Sequence, residues 1–281
     1  MQGRWKAYRS VSRRRLARRY QIADPTLLER LVRDGYAVVP VLDDDELRQV
    51  RAIRERHGSA PGDPSTGLFN DSWSTDLEYK RVVSEELGAV LRGALERHLP
   101  DHRPLGFAHI VKWPGPGGSV VAHRDPTFVD ERHHRSVMLW CPLTDADDRD
   151  GALWVVPASH RKPTGLRVHQ HPDNVVEGIE PVAEGPGRLL RLRAGEGILY
   201  DHSLVHLSGP NEGPRERVAI ASPLIPRDAR ALYAVVTDDG VQTLEIDESL
   251  FTEHRLCDLD IPRVLASFSR VDERPQPVST A

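Results

Sequence analysis

The 281-residue chain reads as an α+β protein, mainly β, with helices first and short strands afterwards. Three observations predict this. Apolar residues recur at helical spacing ahead of residue 100. From Gly106 onward, short β-like runs alternate with Gly, Pro and Asp turn residues. No internal repeat and no clear linker breaks the chain into separate units. Strands of this length and punctuation form an antiparallel sandwich or barrel, which the helices then buttress on one face.

Residues 1–24 carry eight Lys or Arg between Arg4 and Arg19 and read as a solvated basic extension, loosely packed, rather than an arm for acidic partners. Asp24-Pro25-Thr26 is a helix-start signal leading into Leu27, Leu28, Leu31 and Val32, and Gly35 stops that helix. Tyr36 to Val41 reads as a strand, and Asp43 to Asp45 cap a helix running through Arg56. After a Gly, Pro and Ser loop at 58–67 comes a longer helix, Leu77 to His98. Eight β-like runs follow: Phe107–Trp113, Ser136–Leu143, Leu153–Val156, Leu189–Leu192, Gly197–Tyr200, Val218–Leu224, Ala231–Val236 and Gln242–Ile246. We expect one domain over 25–270 and a flexible tail at 271–281.

Composition narrows the function classes. Net charge is −4, from 38 basic and 42 acidic residues, so nothing points to nucleic acid. Only four of the basic residues are Lys (Lys6, Lys80, Lys112, Lys162), leaving 34 Arg, a bias that fits codon usage in a GC-rich bacterial genome. The longest apolar runs, Val137 to Leu143 and Tyr36 to Leu42, have 7 residues each, where a membrane span needs about 20. Two cysteines, Cys141 and Cys257, are too few for a disulfide framework, and Cys141 reads as a small buried hydrophobe. No secretion signal opens the chain, so the expectation is a cytoplasmic monomer or homodimer acting on a small-molecule substrate.

The chemistry concentrates in His123-Arg124-Asp125. In extended chain, residues two apart point to the same side, so one imidazole and one carboxylate reach a common ion from a single segment. A second imidazole comes from His206, in Asp201-His202-Ser203-Leu204-Val205-His206-Leu207-Ser208-Gly209-Pro210-Asn211. Two His and one carboxylate on one face of a metal, with open positions opposite, is the arrangement of non-haem Fe(II) oxygenases. Arg217 follows in the strand-like Arg217-Val218-Ala219-Ile220-Ala221, where a guanidinium suits bidentate pairing with an organic acid.

This order resembles the phytanoyl-CoA dioxygenase family of Fe(II)- and 2-oxoglutarate-dependent oxygenases. Leu31-Val32-Arg33-Asp34-Gly35-Tyr36-Ala37-Val38-Val39-Pro40 is similar to the family's helix-to-strand entry. Gly151-Ala152-Leu153-Trp154-Val155-Val156-Pro157-Ala158-Ser159-His160 is similar to its central strand and turn, with Ala158 where the family commonly has glycine. The resemblance implies a double-stranded β-helix, or jelly roll, with Fe(II) held by His123, Asp125 and His206. It further implies 2-oxoglutarate held by Arg217 and lined by Ser208 and Trp140, with O2 as the oxidant. The implied reaction is hydroxylation of an unactivated C–H, in a small amino acid or secondary-metabolite intermediate, with release of succinate and CO2. Desaturation, cyclisation and epimerisation are the alternatives within that chemistry, and a catalytically silent metal-binding jelly roll is the alternative outside it. Asp125 argues against halogenation, because related halogenases replace this carboxylate with a small residue.

Other candidates are weighed against these. His202, four residues before His206, is the rival distal ligand, and Arg215 the rival to Arg217. His160 reads as a structural hydrogen-bonding residue, His169 and His171 as a polar-loop pair, and His133-His134 as a solvated loop beside the site. Asn70, Asp71 and Trp73 lie in a loop that either covers the site or is plain surface.

Overall fold

A computed structural model describes residues 12–57, 62–162, 164–169, 174–180, 185–256 and 259–271. The first eleven residues, His171, Cys257 and the tail from residue 272 lie outside them.

Four helices precede the strand-rich region: α1 (Arg13–Tyr20), α2 (Pro25–Asp34), α3 (Asp44–Arg56) and α4 (Leu77–His98). The Asp24 carboxylate accepts from the first free amides of α2. Gly35 ends that helix at φ 85°, a conformation that favours glycine, and a Cβ there would stand 2.4 Å from His160 Nδ1. Asp43 and Glu46 form a reciprocal capping box on α3.

Helix α1 departs from the expected loose extension. Leu16 and Tyr20, four residues apart, share a face and are 1% and 0% exposed. Both join the main apolar cluster, and the Tyr20 hydroxyl donates to Asp201 at 2.6 Å. Arg13, Arg14, Arg15 and Arg18 stay in solvent, so the basic run masks the two residues that dock the helix.

Eleven strands build the central body: β1 (Tyr36–Pro40), β2 (Leu68–Asn70), β3 (His102–Pro104), β4 (Ala108–Lys112), β5 (Val120–His123), β6 (Val137–Pro142), β7 (Leu153–Val155), β8 (Arg188–Leu189), β9 (Glu196–Asp201), β10 (His206–Ser208) and β11 (Arg217–Pro226). The larger antiparallel sheet runs β1-β9-β6-β11-β4-β2, with β3 also pairing β11. The smaller runs β5-β10-β7-β8. Strands β4 to β11 are thus shared between two sheets, which is a jelly roll. Side chains alternate accordingly along β6, β9 and β11. Val137, Leu139, Cys141, Leu199, Val218 and Ile220 pack outward with the helices, whereas Trp140, Ile198, Tyr200, Ala219 and Ala221 pack inward with Leu153 and Val155 of the smaller sheet. Cys141 is fully buried, as expected.

Two of the eight predicted runs belong elsewhere. Ala231–Val236 and Gln242–Ile246 correspond to β12 (Leu232–Thr237) and β13 (Gly240–Glu245), which with β14 (Ser269–Arg270) form a separate three-stranded sheet. This sheet packs with α5 (Ser249–Glu253) and α6 (Ile261–Ser267) around Phe128, Tyr233 and Leu250. The central-body strands not predicted, β2, β3, β5 and β10, are short, and each carries at least one polar residue.

Ala158 adopts φ 63° and ψ 4°, the left-handed region, which costs an L-residue about 1–2 kcal/mol. Its amide is committed to Asp34 O at 2.8 Å, so the turn cannot relax. Glycine relieves the strain but loses about 0.4–1 kcal/mol through a freer unfolded chain. Ala158→Gly is therefore expected to stabilise by about 0.5–1 kcal/mol, seen as a higher urea midpoint at unchanged slope; a lower midpoint would refute the strain argument.

Candidate active site

His123 ends β5 and His206 begins β10, and the two are register partners across the smaller sheet. Asp125 returns to them just beyond the strand end. Its Oδ1 lies 3.7 Å from Nε2 of each histidine, and the imidazole centroids are 4.2 Å apart. Ligand atoms of the three residues all lie within 4.8 Å of one another.

Both ring orientations follow from backbone contacts. His123 Nδ1 faces Val121 O at 2.9 Å, and His206 Nδ1 faces Leu204 O at 3.1 Å. A carbonyl oxygen only accepts, so each Nδ1 carries a proton and each Nε2 is turned to the site. Burial opposes the charged form of His123, but Asp125 outweighs it and raises that imidazole above its ordinary value, so a metal there displaces the Nε2 proton. Burial pushes the His206 imidazole down to about 4, and His123 adds to the effect, so the ring is neutral near pH 7. Burial opposes ionisation of Asp125, yet His206 and His123 hold its carboxyl below the usual range. Asp125 Oδ2 is buried without a hydrogen-bond partner. Two imidazole lone pairs and an ionised carboxylate with an orphan oxygen are a donor set that fits a divalent transition metal.

A chain of buried charges holds the segment between these ligands. Arg167 Nε donates to Asp125 O at 2.6 Å, and its Nη2 pairs with Glu131 at 2.6 Å. Glu131 also meets Arg135, which forks onto Asp201 at 2.8 Å through two bonds. Asp201 in turn accepts from Tyr20 of α1.

The same cavity, about 650 Å³, reaches a second cluster. Arg217 is 2% exposed, its guanidinium 5.2 Å from the centroid of the Trp140 ring. It makes only long contacts, 3.4 Å, to Ile110 O and Gly151 O, and its Nε has no partner. Lys112 is the register partner of Arg217 across β4 and β11 and is 1% exposed. Its ammonium donates to Ser208 Oγ at 2.7 Å and to Gly209 O. Burial, helped by the charge of Arg217, pushes the Lys112 amine down to about 7. Neither cation has a carboxylate ion-pair partner among the described residues, so the pair is a ready seat for an organic acid. Sequence reasoning missed Lys112. The available signal was a rare lysine, one of four, in an otherwise apolar strand-like run.

The rivals are placed elsewhere. His202 is fully buried against Phe128, at 5.0 Å between centroids, and does not join the cluster. Arg215 is exposed on the turn before β11. His160 is buried, but its ring nitrogens have no partner, so it packs under Gly35 rather than hydrogen-bonding. His133 is exposed and His134 faces Asp228, and neither lines the cavity. His169 lines it with Nε2 tied to Leu256 O at 3.0 Å. Asn70, Asp71 and Trp73 also line it.

A family model described as phytanoyl-CoA dioxygenase (PhyH) matches residues 31–219. Phytanoyl-CoA dioxygenase 1 of Oryza sativa subsp. japonica is 31% identical over 121 residues, 40% of this chain and 41% of that protein. Phytanoyl-CoA dioxygenase of Arabidopsis thaliana is 29% identical over 147 residues, 51% of this chain and 50% of that protein. The chain thus spans half or less of the length of these curated relatives. Its fold is similar to the non-heme alpha ketoglutarate dependent epimerase SnoN from nogalamycin biosynthesis, with TM-score 0.56 and 20% identity, covering 91% of this chain and 94% of that one. It is also similar to EvdO2 from Micromonospora carbonacea var. aurantiaca complexed with 2-oxoglutarate, with TM-score 0.53 and 20% identity over 72% and 91% of the two chains. A third is HygX from Streptomyces hygroscopicus with nickel, 2-oxoglutarate and hygromycin B bound, with TM-score 0.52 and 17% identity over 73% and 88%.

Proposed function

Because the chain belongs to the phytanoyl-CoA dioxygenase family, we propose that it is an Fe(II)- and 2-oxoglutarate-dependent dioxygenase that hydroxylates an unactivated C–H of a small molecule. One observation carries the reading: a two-histidine, one-carboxylate cluster shares a single cavity with a buried, carboxylate-free cation pair. The ligands bound in EvdO2 and HygX support it.

His123, Asp125 and His206 hold the metal. Arg217 and Lys112 hold the distal carboxylate of 2-oxoglutarate, with Ser208 keeping the ammonium in place and Trp140 fixing the guanidinium plane. Iron with 2-oxoglutarate and O2, when bound, supplies oxidative decarboxylation to succinate and CO2 coupled to removal of a substrate hydrogen. The chain supplies orientation and dryness. The Val121 and Leu204 carbonyls keep both Nε2 atoms aimed at the metal. Arg167 anchors the main chain at Asp125, and the apolar cavity wall excludes water. A silent metal-binding protein has no use for a cavity of about 650 Å³ opening on its ligands, which favours turnover. The volume of the cavity and its aromatic lining, which includes Phe107, Phe128 and Phe251, also favour a secondary-metabolite intermediate over a small amino acid.

With Fe(II), O2 and 2-oxoglutarate, substrate-stimulated succinate formation is expected, with a product heavier by one oxygen. Loss of two hydrogens would redirect the reading to desaturation or ring closure. Failure of the Fe(II) protein to bind 2-oxoglutarate would overturn it.

A further inference from the structure

The cavity that holds the cluster extends well beyond it, and its far wall is aromatic. Phe107, Phe128, Tyr233 and Phe251 line it. Phe128 stands 5.8 Å from Phe251 and 6.1 Å from Tyr233, centroid to centroid, so these three rings form one packed surface. Tyr233 comes from the three-stranded sheet and Phe251 from α5, whereas Phe128 lies between β5 and β6 and Phe107 just ahead of β4. Phe128 and Tyr233 are 4% and 0% exposed, so the open ring surface belongs mainly to Phe107 and Phe251, and a ring-bearing body matches this apolar wall better than a small polar one.

The polar groups along the same cavity are mostly spoken for. Asp71 accepts from the Tyr79 hydroxyl and the His109 amide, and Ser84 Oγ accepts from the Phe107 amide. Lys80 donates to His254 O. Once Arg217 and Lys112 are assigned to the co-substrate, and with Lys80 held by His254 O, one cation remains among the described lining residues: Arg124, the middle residue of the His-x-Asp triplet. Arg124 lines the cavity half-buried, and its side chain has neither ion pair nor hydrogen bond among the described residues. Its Nε is sealed from solvent without a partner. Only its main chain is engaged, through its amide to Asn174 O at 3.0 Å. Among the described residues no carboxylate pairs with Arg124; burial pushes its pKa down, and the one charge acting on it, Arg167, is a like charge that adds to the effect and is itself paired with Glu131. Its sealed Nε is costly to leave unpaired, its half-buried guanidinium is free to accept a ligand, and a carboxylate matches that geometry.

We propose that the substrate is a hydrophobic organic acid, its carboxylate paired with Arg124 and its apolar, ring-bearing body laid on Phe107, Phe128, Tyr233 and Phe251. The proposal rests on the oxygenase reading for the roles of Arg217 and Lys112, and its test separates the two. The probes are 2-naphthylacetate, 2-naphthylacetamide and 2-(2-naphthyl)ethylamine. Their binding is followed by calorimetry to protein loaded with Mn(II) and saturated with 2-oxoglutarate, so that the Arg217 seat is already filled.

The acid is expected to bind at least about tenfold tighter than the amide, as befits a charge-assisted pair. Arg124→Gln should erase that preference while leaving amide affinity and metal content unchanged. Arg124→Glu should reverse it, favouring the amine. Phe128→Ala should weaken acid and amide alike. Equal binding of acid and amide, binding of neither, or a preference that survives Arg124→Gln would overturn the proposal. Failure of 2-oxoglutarate to bind, with the Arg124-dependent preference intact, would sink the oxygenase reading alone. A preference lost in Arg217→Gln instead of Arg124→Gln would show that the acid had merely occupied the co-substrate seat, and would overturn the proposal as well.

Discussion

His206→Ala is expected to lower the affinity for Fe(II), or for Mn(II) as its substitute, by more than about 100-fold. Removing a group that merely supports a metal ligand already costs about 10- to 100-fold, and a ligand costs more. The neighbouring His202→Leu is the discriminating control. His202 shares the segment and the spacing, but its ring packs on Phe128 and both its nitrogens lack partners. Replacing an unpaired buried polar ring by an apolar side chain of similar size is nearly neutral or stabilising. His202→Leu should therefore keep wild-type metal content and lose no stability. Calorimetric metal titration of both variants decides the matter: wild-type metal affinity in His206→Ala together with loss in His202→Leu would reverse the assignment.

How far the chain could be read without coordinates depends on how local each feature is. His123 and Asp125 are two residues apart on extended chain, so their convergence needs only strand geometry. Helix α4 spans Leu77–His98 as its apolar spacing predicts, and Gly35 stops α2 as expected. Lys112 behaves differently. Its burial and its neighbour Arg217 both arise from pairing between β4 and β11, strands remote in sequence, and nothing within β4 announces a partner. Helix α1 was hidden for a compositional reason, because two docking residues sit among five arginines. Strands β12 and β13 were read correctly as strands, but their departure into a third sheet is a tertiary choice that alternation does not encode. That choice bears on the proposed substrate seat, since this sheet places Tyr233 along the cavity.

The cation pair makes the second large prediction. Arg217→Ala should raise the dissociation constant of 2-oxoglutarate by about 30-fold or more, since breaking a buried charge pair costs about 2–5 kcal/mol. Metal affinity should be nearly unchanged, because Arg217 is not among the clustered ligand residues. Lys112 adds a pH dependence whose sign can be worked out. In the free protein, burial and Arg217 push its amine down to about 7, while Arg217 itself is lowered only to about 10 and stays charged. A bound carboxylate favours the ammonium and raises the lysine pKa in the complex. Binding therefore takes up a proton above pH 7. Affinity is full below the free-state value, falls by up to about tenfold per pH unit as pH rises above 7, and levels off once the pKa of the complex is passed. Lys112→Met removes the titrating group, so its affinity should be low and flat between pH 7 and 9, near the wild-type plateau at high pH. Anaerobic calorimetry with Mn(II)-loaded protein reads both curves. A wild-type affinity independent of pH over that range, or a slope that persists in Lys112→Met, would remove Lys112 from the carboxylate seat and leave Arg217 to hold it alone.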